Sequence, residues 1–491
     1  MRDAVALQTR SNPDATALVD AATDASWTFR DLDAAVGETA GRLAACGVER
    51  GDRVAVLMET RPAFVRLAFA CARLGAVLVP LNARLAVPEL RAQAERVDPV
   101  LVVCEADTAE AASDLPVPAV SVDGEGEVEQ FGARSPAGFE PADLSWSDTR
   151  AVMFTSGTTG DPKAVRLTYA NFAASAVASS FRLGVLPEDR WLCPLSLYHM
   201  GGLSVVLRSA LYGTTAVLTR GFDADDVRAA LTRYDCTGVS LVPTMLSRLL
   251  DEGGVPDTLR FALVGGAPTP PDLVVRALDA GVPVCPTFGM TETTSQVATL
   301  HATEARDRPD SAGRPLLGTD VTVVGDDSEP LPAGETGELV VSGPTVTPGY
   351  LSADANRERF CEHGLRTGDF GFVDSSGFLH VGGRQADQIV TGGENVHPEE
   401  VADVLRDHPG VADAAVVGLP DEEWGERVAA LVVRADDAPE PVTSEALRAF
   451  CEQRLAGYKH PRTVAFADEL PRTASGTVDR EAVRVSLADE N

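Results

Sequence analysis

The residues with the clearest chemical purpose are Thr155-Ser156-Gly157-Thr158-Thr159-Gly160-Asp161-Pro162-Lys163, directly after a strand-like apolar run at 151–154. Glycines let successive backbone N–H groups turn inward without a Cβ clash, which makes an anion nest. The hydroxyls of Ser156, Thr158 and Thr159 add donors and Lys163 adds charge, so the ligand that fits is a polyphosphate. The spacing is not Gly-x-x-x-x-Gly-Lys-Ser/Thr, so this is a different loop from the Walker type. A flexible Ser/Thr/Gly hairpin would have the same composition. Lys163 favours the phosphate reading, because it is one of only two lysines in the chain.

Further motifs follow in a fixed order, and with them the chain resembles the adenylate-forming superfamily: acyl-CoA synthetases, firefly luciferase and the adenylation domains of peptide synthetases. Leu263-Val264-Gly265-Gly266-Ala267-Pro268 resembles the family's adenine-site strand and turn. Thr287-Phe288-Gly289-Met290-Thr291-Glu292 resembles its aromatic-Gly-x-Thr-Glu motif, and Thr367-Gly368-Asp369 its ribose-binding motif. Gly383-Arg384 through Asp387, then Gly392-Gly393-Glu394-Asn395-Val396-His397-Pro398, resembles the hinge and the start of a mobile C-terminal domain. Pro471-Arg472-Thr473-Ala474-Ser475-Gly476 resembles the family's last motif. The resemblance spans essentially the whole chain, and ordered joint matches are far more specific than any single motif.

The resemblance implies a two-step reaction. A carboxylate attacks the α-phosphate of ATP and releases pyrophosphate; the CoA thiolate then attacks the acyl-adenylate. Glu292, beside Thr291, would hold Mg²⁺, a hard cation that takes oxygen ligands. Gly265, Gly266, Ala267, Pro268, Thr287 and Gly289 would form the nucleotide wall, with Phe288 stacked on adenine. Asp369 and Arg384 would hold the ribose, and Gly392, Gly393 and Glu394 would border the pantetheine arm of CoA. Taken singly, Glu292 reads as a helix-start glutamate capped by Thr291, Phe288 as core, Asp369 as a turn residue and Arg384 as a solvated arginine. Their joint order reverses those readings.

Two positions depart from the family. The hinge, usually Asp, Lys or Ser, is Ala386. The last motif ordinarily ends in a lysine that reaches the carboxylate and α-phosphate, and here that position is Thr477. A hydroxyl supplies no positive charge, and losing one such contact costs about 3 kcal/mol. Lys459, in Tyr458-Lys459-His460-Pro461-Arg462, is the favoured substitute; Arg472 and Arg480 are alternatives, although Arg is a planar fork and not a point charge.

The acyl pocket is expected along 194–213. His199, in Leu197-Tyr198-His199-Met200-Gly201-Gly202, would contact the substrate carboxylate or gate the pocket. Arg208 interrupts an apolar run, and a cation there needs a partner, unless it lies on the wet face of a helix. This block, with Thr293-Thr294-Ser295-Gln296, resembles o-succinylbenzoate–CoA ligases of menaquinone synthesis. Their substrate has two carboxylates; Arg208 would fix the one that is not activated, with Ser295 and Gln296 beside it. A ligase for another aryl or medium-chain acid, and a non-catalytic nucleotide-binding protein permitted by Thr477, are the alternatives.

The elements that must position these residues alternate. Runs at 54–58, 77–80 and 101–104 read as strands, and 62–74 as a helix; Thr28 with Asp31 reads as a capping box. Alternation predicts an α/β fold with mainly parallel sheets. Residues 107–148 read as loop-rich surface, and 318–350 as a small β section. The expected plan is a large N-terminal domain at 1–383, a hinge at 384–387 and a small mobile α+β C-terminal domain at 388–491.

With 491 residues, two to four domains at about 150 residues each are expected. The formal charge is −31, which speaks against nucleic-acid partners and against docking on an anionic membrane. Eight scattered cysteines without a CxxC pair suit buried free thiols in a reducing cytoplasm. Residues 1–20 carry no apolar signal core, and no run suits a membrane span. Small-molecule substrates are the expected partners; self-association is compatible with the sequence and not specified by it. Excess carboxylates with almost no lysine suit a protein kept soluble in concentrated salt, though a GC-rich genome would also favour Arg over Lys. The expected outcome is that activity and melting temperature both rise from low salt to molar KCl; flat profiles would refute the salt adaptation.

Overall fold

The computed structural model describes residues 1–85, 87–124, 128–155, 163–384, 389–391, 394–396, 398–421, 424–435, 442–455, 457–473 and 476–488; for 383, 384, 390, 394 and 395 it describes the backbone alone. Contacts divide the chain into two compact units. One comprises Met1–Val321, Val340–Leu365 and Ser376–Leu379, the other Thr322–Leu339, Arg366–Ser375 and His380–Asn491. The second unit therefore reaches back into the Gly/Pro-rich stretch before the expected boundary at 383. Of the expected hinge, 385–387 with Ala386 lie outside the described residues.

The first unit is built on two large sheets. Strands Arg53–Leu57, Val77–Leu81, Leu101–Cys104 and Ala119–Ser121 run parallel in one, and the hairpin Thr149–Thr155/Lys163–Thr168 extends it. In the other, Thr16–Asp20, Thr215–Leu218, Arg190–Cys193, Gly238–Leu241, Phe261–Val264 and Val284–Phe288 are parallel neighbours. Parallel strands are covered on both faces, so they read as continuous apolar runs. The two-residue period of a strand then sorts the side chains. Val54 and Val56 join one core cluster, while Ala55 and Leu57 join another. Trp191 and Cys193 share the first cluster, and Leu192 belongs to a third.

That first cluster is a layer of helices covered by both sheets. It contains Leu32, Val36, Ala40 and Leu43 of helix Phe29–Ala45, and most of helix Pro62–Leu74. Thr28 and Asp31 form the expected capping box at the start of Phe29–Ala45. Helix Pro62–Leu74 is buried on nearly all sides, which suits a helix with a sheet on each side. Within it, Arg73 is tolerated because Asp3 receives it through two hydrogen bonds of 3.1 Å.

The second unit contains an antiparallel pair, Val411–Asp421 with Gly425–Arg434, joined by Thr463–Ala467 and by Ile389–Thr391 with Glu394–Val396. Val428, Ala430 and Val432 face helices Pro398–Arg406 and Ser444–Glu452; Ala429 and Leu431 face helix Arg480–Ala488. This is the α+β arrangement expected of the tail.

All eight cysteines are unpaired, and burial pushes the thiols of Cys71, Cys193, Cys236 and Cys285 up to about 12. No helix among the described residues is long and apolar enough to cross a membrane.

Glu105, just after Leu101–Cys104, is buried and joins several segments of the first unit. Arg61 Nη1 and Arg220 Nη2 each donate to Oε2 at 2.9 Å, and the Glu59 amide donates to Oε1 at 2.6 Å. Arg61 also grips Asp123 through two bonds of 2.8 Å, which hold that carboxyl below its ordinary 3.8. The stabilisation from Asp123 is thus complete above pH 3.8 and is lost as pH falls through its lower folded value. Without Glu105 the Glu59 amide loses its acceptor, while Arg61 keeps Asp123 and the half-exposed Arg220 reaches water. Glu105→Ala is expected to lower unfolding free energy by about 1–3 kcal/mol; urea titration checks this, and a loss under about 0.5 kcal/mol would refute the hub.

Candidate active site

The phosphate-loop residues Ser156, Gly157, Thr158, Thr159 and Gly160 lie outside the described residues. The strands that flank them are described. Thr155 and Lys163 face each other at the open end of the hairpin, and Lys163 Nζ stands 3.7 Å from Glu358.

Strand Phe261–Val264 ends in Gly265-Gly266, followed by Ala267-Pro268. A Cβ on Gly265 would stand 2.6 Å from the Thr287 methyl and 2.9 Å from the Thr287 carbonyl oxygen, and Gly266 has φ +83°. Glycine at both positions therefore lets the turn lie against Thr287 beside Phe288. The pieces expected to hold adenine do meet.

The next turn is tighter. A Cβ on Gly289 would lie 1.6 Å from the Ser295 carbonyl oxygen, so the chain doubles back directly over this glycine. Between them, Thr291–Thr293 form one 3₁₀ turn whose N-cap is Met290. Thr291 therefore sits inside the turn and does not cap it. Thr294 and Ser295 follow with φ of 53° and 94°, a left-handed pair that costs non-glycine residues energy unless neighbours fix it. Here they do: Thr294 Oγ1 donates to Thr345 O at 2.8 Å, and its carbonyl accepts from Ser175 Oγ at 2.6 Å.

Glu292 is buried within this turn. Tyr350 Oη donates to its Oε1 at 2.9 Å, and the Thr347 amide donates to its carbonyl at 2.7 Å. Burial and the adjacent carboxylate push the Tyr350 phenol well above its usual range, so it stays a donor. Tyr350 also pairs with Val165 of the hairpin that borders the phosphate loop. Among the described residues Oε2 of Glu292 receives no hydrogen bond, which suits an oxygen ligand of a hard cation. No group of three or more His, Cys, Asp or Glu gathers among the described residues. Sequence reasoning missed Tyr350, which fell at the end of the stretch 318–350 read only as a small β section.

His199 is the N-cap of helix Met200–Tyr212. It reaches solvent, yet surrounding atoms and the Arg84 charge hold its imidazole below 6.5, so it is neutral at pH 7. Arg208, on the same helix, is fully buried, which rules out the wet-face reading. Its Nη2 donates to Ser175 Oγ at 2.8 Å, while Nε and Nη1 have no hydrogen-bond partner among the described residues. Burial lowers its pKa, yet an arginine stays charged. Gln296 is buried too; Nε2 donates to Thr299 Oγ1 at 2.7 Å and Oε1 is unpartnered. Arg208 and the 294–296 turn are thus brought together through Ser175. His199 stands two and a half helical turns from Arg208 and makes no contact with it.

The remaining residues belong to the second unit. Asp369 is buried and its amide donates to Thr367 Oγ1 at 3.0 Å. Arg384 ends strand Leu379–Arg384, and Glu394 begins Glu394–Val396; Gly392 and Gly393 lie outside the described residues. Lys459 Nζ donates to both carboxylate oxygens of Glu400 at 2.6 Å. Thr477 shares a 2.8 Å hydroxyl contact with Thr473. Arg472 is paired with Asp413 at 2.8 Å and Arg480 with Glu399 at 3.2 Å.

Comparison with known proteins agrees with this geometry. The model of the AMP-binding enzyme family matches residues 5–351, and that of the AMP-binding enzyme C-terminal domain matches 400–477. The 2-succinylbenzoate–CoA ligase of Bacillus cereus (strain Q1) is 39% identical over 461 residues, 93% of each chain. The o-succinylbenzoate CoA synthetase of Bacillus subtilis, solved with the acyl-adenylate intermediate, superposes with a TM-score of 0.90 at 35% identity, covering 99% of this chain and 98% of the other. The same enzyme with ATP and a magnesium ion also gives 0.90 at 35%, covering 100% of both chains. With both family domains matched in order along its length, the chain belongs to the AMP-binding enzyme family.

Proposed function

We propose that this chain joins 2-succinylbenzoate to CoA with ATP, giving 2-succinylbenzoyl-CoA, AMP and diphosphate in menaquinone biosynthesis. The observation that carries the choice of acid is Arg208. A buried guanidinium with two unpartnered nitrogens is costly, by several kcal/mol, unless a bound anion completes it. A monocarboxylic acid spends its only carboxylate on the α-phosphate; a dicarboxylic acid has a second one for Arg208. The relatives named for 2-succinylbenzoate support the same substrate.

In the first step a carboxylate oxygen of the acid bonds to the α-phosphorus of ATP, and the bond to pyrophosphate breaks. Thr155, Lys163 and the intervening loop would cradle the phosphates; Gly265 to Pro268 and Thr287 to Gly289 would hold the base, with Asp369 and Arg384 on the ribose. Glu292, fixed by Tyr350, would hold Mg²⁺, which when bound neutralises phosphate charge. Lys459 would supply the positive charge missing at Thr477. It is a point charge on a flexible stem where Arg472 and Arg480 are planar forks; all three are held by carboxylates in this structure. In the second step the CoA thiolate bonds to the acyl carbon and AMP leaves. Gly392, Gly393 and Glu394 would border the pantetheine arm. Neutral His199 would line the acid's entry, with Ser295 and Gln296 beside Arg208. The acidic, Arg-rich composition supports a working place in a cytoplasm of high salt.

Product formation in molar KCl with ATP, Mg²⁺ and CoA should show thioester with 2-succinylbenzoate well ahead of a panel of aryl and fatty acids. Preference for another acid would keep the ligase and refute the substrate; ATP binding without pyrophosphate release from any acid would favour a non-catalytic protein. Lys459→Arg, which keeps the charge but replaces a point charge by a planar fork, should lose most pyrophosphate release. Near-wild-type release would remove Lys459 from adenylation. Arg208→Ala should raise the KM for 2-succinylbenzoate by about tenfold or more; an unchanged KM would refute its role.

A further inference from the structure

A serine in the middle of a helix ordinarily returns its hydroxyl proton to a carbonyl one turn back. Ser175, inside helix Tyr169–Leu183, does not. Its Oγ donates to Thr294 O at 2.6 Å, across 119 positions of sequence, and accepts from Arg208 Nη2 at 2.8 Å. With its single proton committed to Thr294, the arginine contact uses the oxygen as acceptor. One buried hydroxyl therefore joins three elements: its own helix, the helix that carries Arg208, and the left-handed turn that follows Glu292.

The surroundings hold this junction still. One turn before Ser175, Asn171 Nδ2 donates to Pro344 O at 2.9 Å and Val346 O at 2.8 Å. Thr294 Oγ1 reaches the same segment at Thr345 O, and the Thr347 amide reaches Glu292 O. Ser175 is the member of this clamp that touches Arg208.

We infer that Ser175 is a positioning residue for substrate specificity: it sets where the Arg208 guanidinium presents its free donors, and so registers the second carboxylate of a dicarboxylic substrate against the turn that carries Glu292. The inference rests on the proposed dicarboxylic substrate and adds a residue to it. An arginine stem has many rotamers, and a single fixed acceptor on Nη2 leaves Nε and Nη1 as donors still to be satisfied. Without the hydroxyl, Arg208 loses its one fixed contact and Thr294 O loses its donor.

The test compares wild type, Ser175→Ala and Ser175→Thr in pyrophosphate release. Each is assayed with 2-succinylbenzoate and with an analogue that keeps only the carboxylate that is activated. Ser175→Ala is expected to raise the KM for the diacid about tenfold, the scale of one hydrogen bond to a charged group, with kcat changed far less. The analogue's KM should stay put, so discrimination collapses, and Ser175→Thr should restore it. Equal losses on both acids, or none on either, would overturn the inference and leave Ser175 a structural residue. If Ser175→Ala does not fold, Ser175→Cys, similar in size and a weak hydrogen bonder, gives the same comparison. A wild type that does not prefer the diacid removes the substrate proposal, and this inference with it. That failure appears in the unmodified enzyme, before any variant is compared.

Discussion

The space above Gly289 is already filled: a Cβ there would overlap the carbonyl oxygen of Ser295. Only a glycine at 289 lets the chain from 289 to 296 fold back on itself this closely, and much of the candidate site depends on the result. The reversal forces Thr294 and Ser295 into left-handed conformations, which persist because Ser175 and Thr345 hold Thr294 from two sides. It also sets Glu292 under Tyr350, and Tyr350 onto the hairpin that borders the phosphate loop. Glu292, the hairpin of Thr155 and Lys163, and Arg208 are thereby joined through a few buried hydrogen bonds. Each is expensive to break because the groups it leaves behind cannot reach water.

Beneath this turn lies a layered body whose order follows from burial. Two parallel sheets must be covered on both faces, and the helices between them are apolar nearly all round. In such a layer most charged side chains have company, and Arg150, whose Nη1 and Nη2 make no hydrogen bond among the described residues, lies over the rings of Phe69 and Tyr169. Arg73 has Asp3 and Asp33; Glu105 has Arg61 and Arg220. Arg208 departs from that pattern, with one neutral contact and two unpartnered nitrogens, and so it points to a ligand more directly than its sequence position does.

The charge distribution separates two kinds of cation. Arginine, a planar fork, fills most of the ion pairs and leaves a net −31. The two lysines are Lys163, opposite Thr155 in the hairpin and near Glu358, and Lys459, on a one-turn helix held by Glu400. A chain that has nearly abandoned lysine keeps it at two positions, one at the hairpin of the first unit and one in the second unit.

By itself the sequence determined the order of motifs, the parallel α/β plan and the strand and helix positions that carry them. Those are local properties: Thr28 with Asp31 caps a helix wherever that helix goes, and a run such as 101–104 is a buried strand in almost any sheet. Gly265 and Gly289 were visible as motif glycines, but their purpose lies in what packs against them, Thr287 and Ser295. Arg208 was legible as an anomaly, and the resemblance offered it a second carboxylate to hold; its burial and its contact with Ser175 were not legible. Helix Met200–Tyr212 is buried on nearly every side, so no amphipathic stripe could tell a wet face from a dry one. Tyr350 and Ser175 carried no signal, because each acts through a partner more than fifty residues away. Periodicity reports which face of an element is apolar; only the tertiary structure decided which polar groups that face would meet, because hydrogen-bond partners in a buried layer are set by packing between elements far apart in the chain.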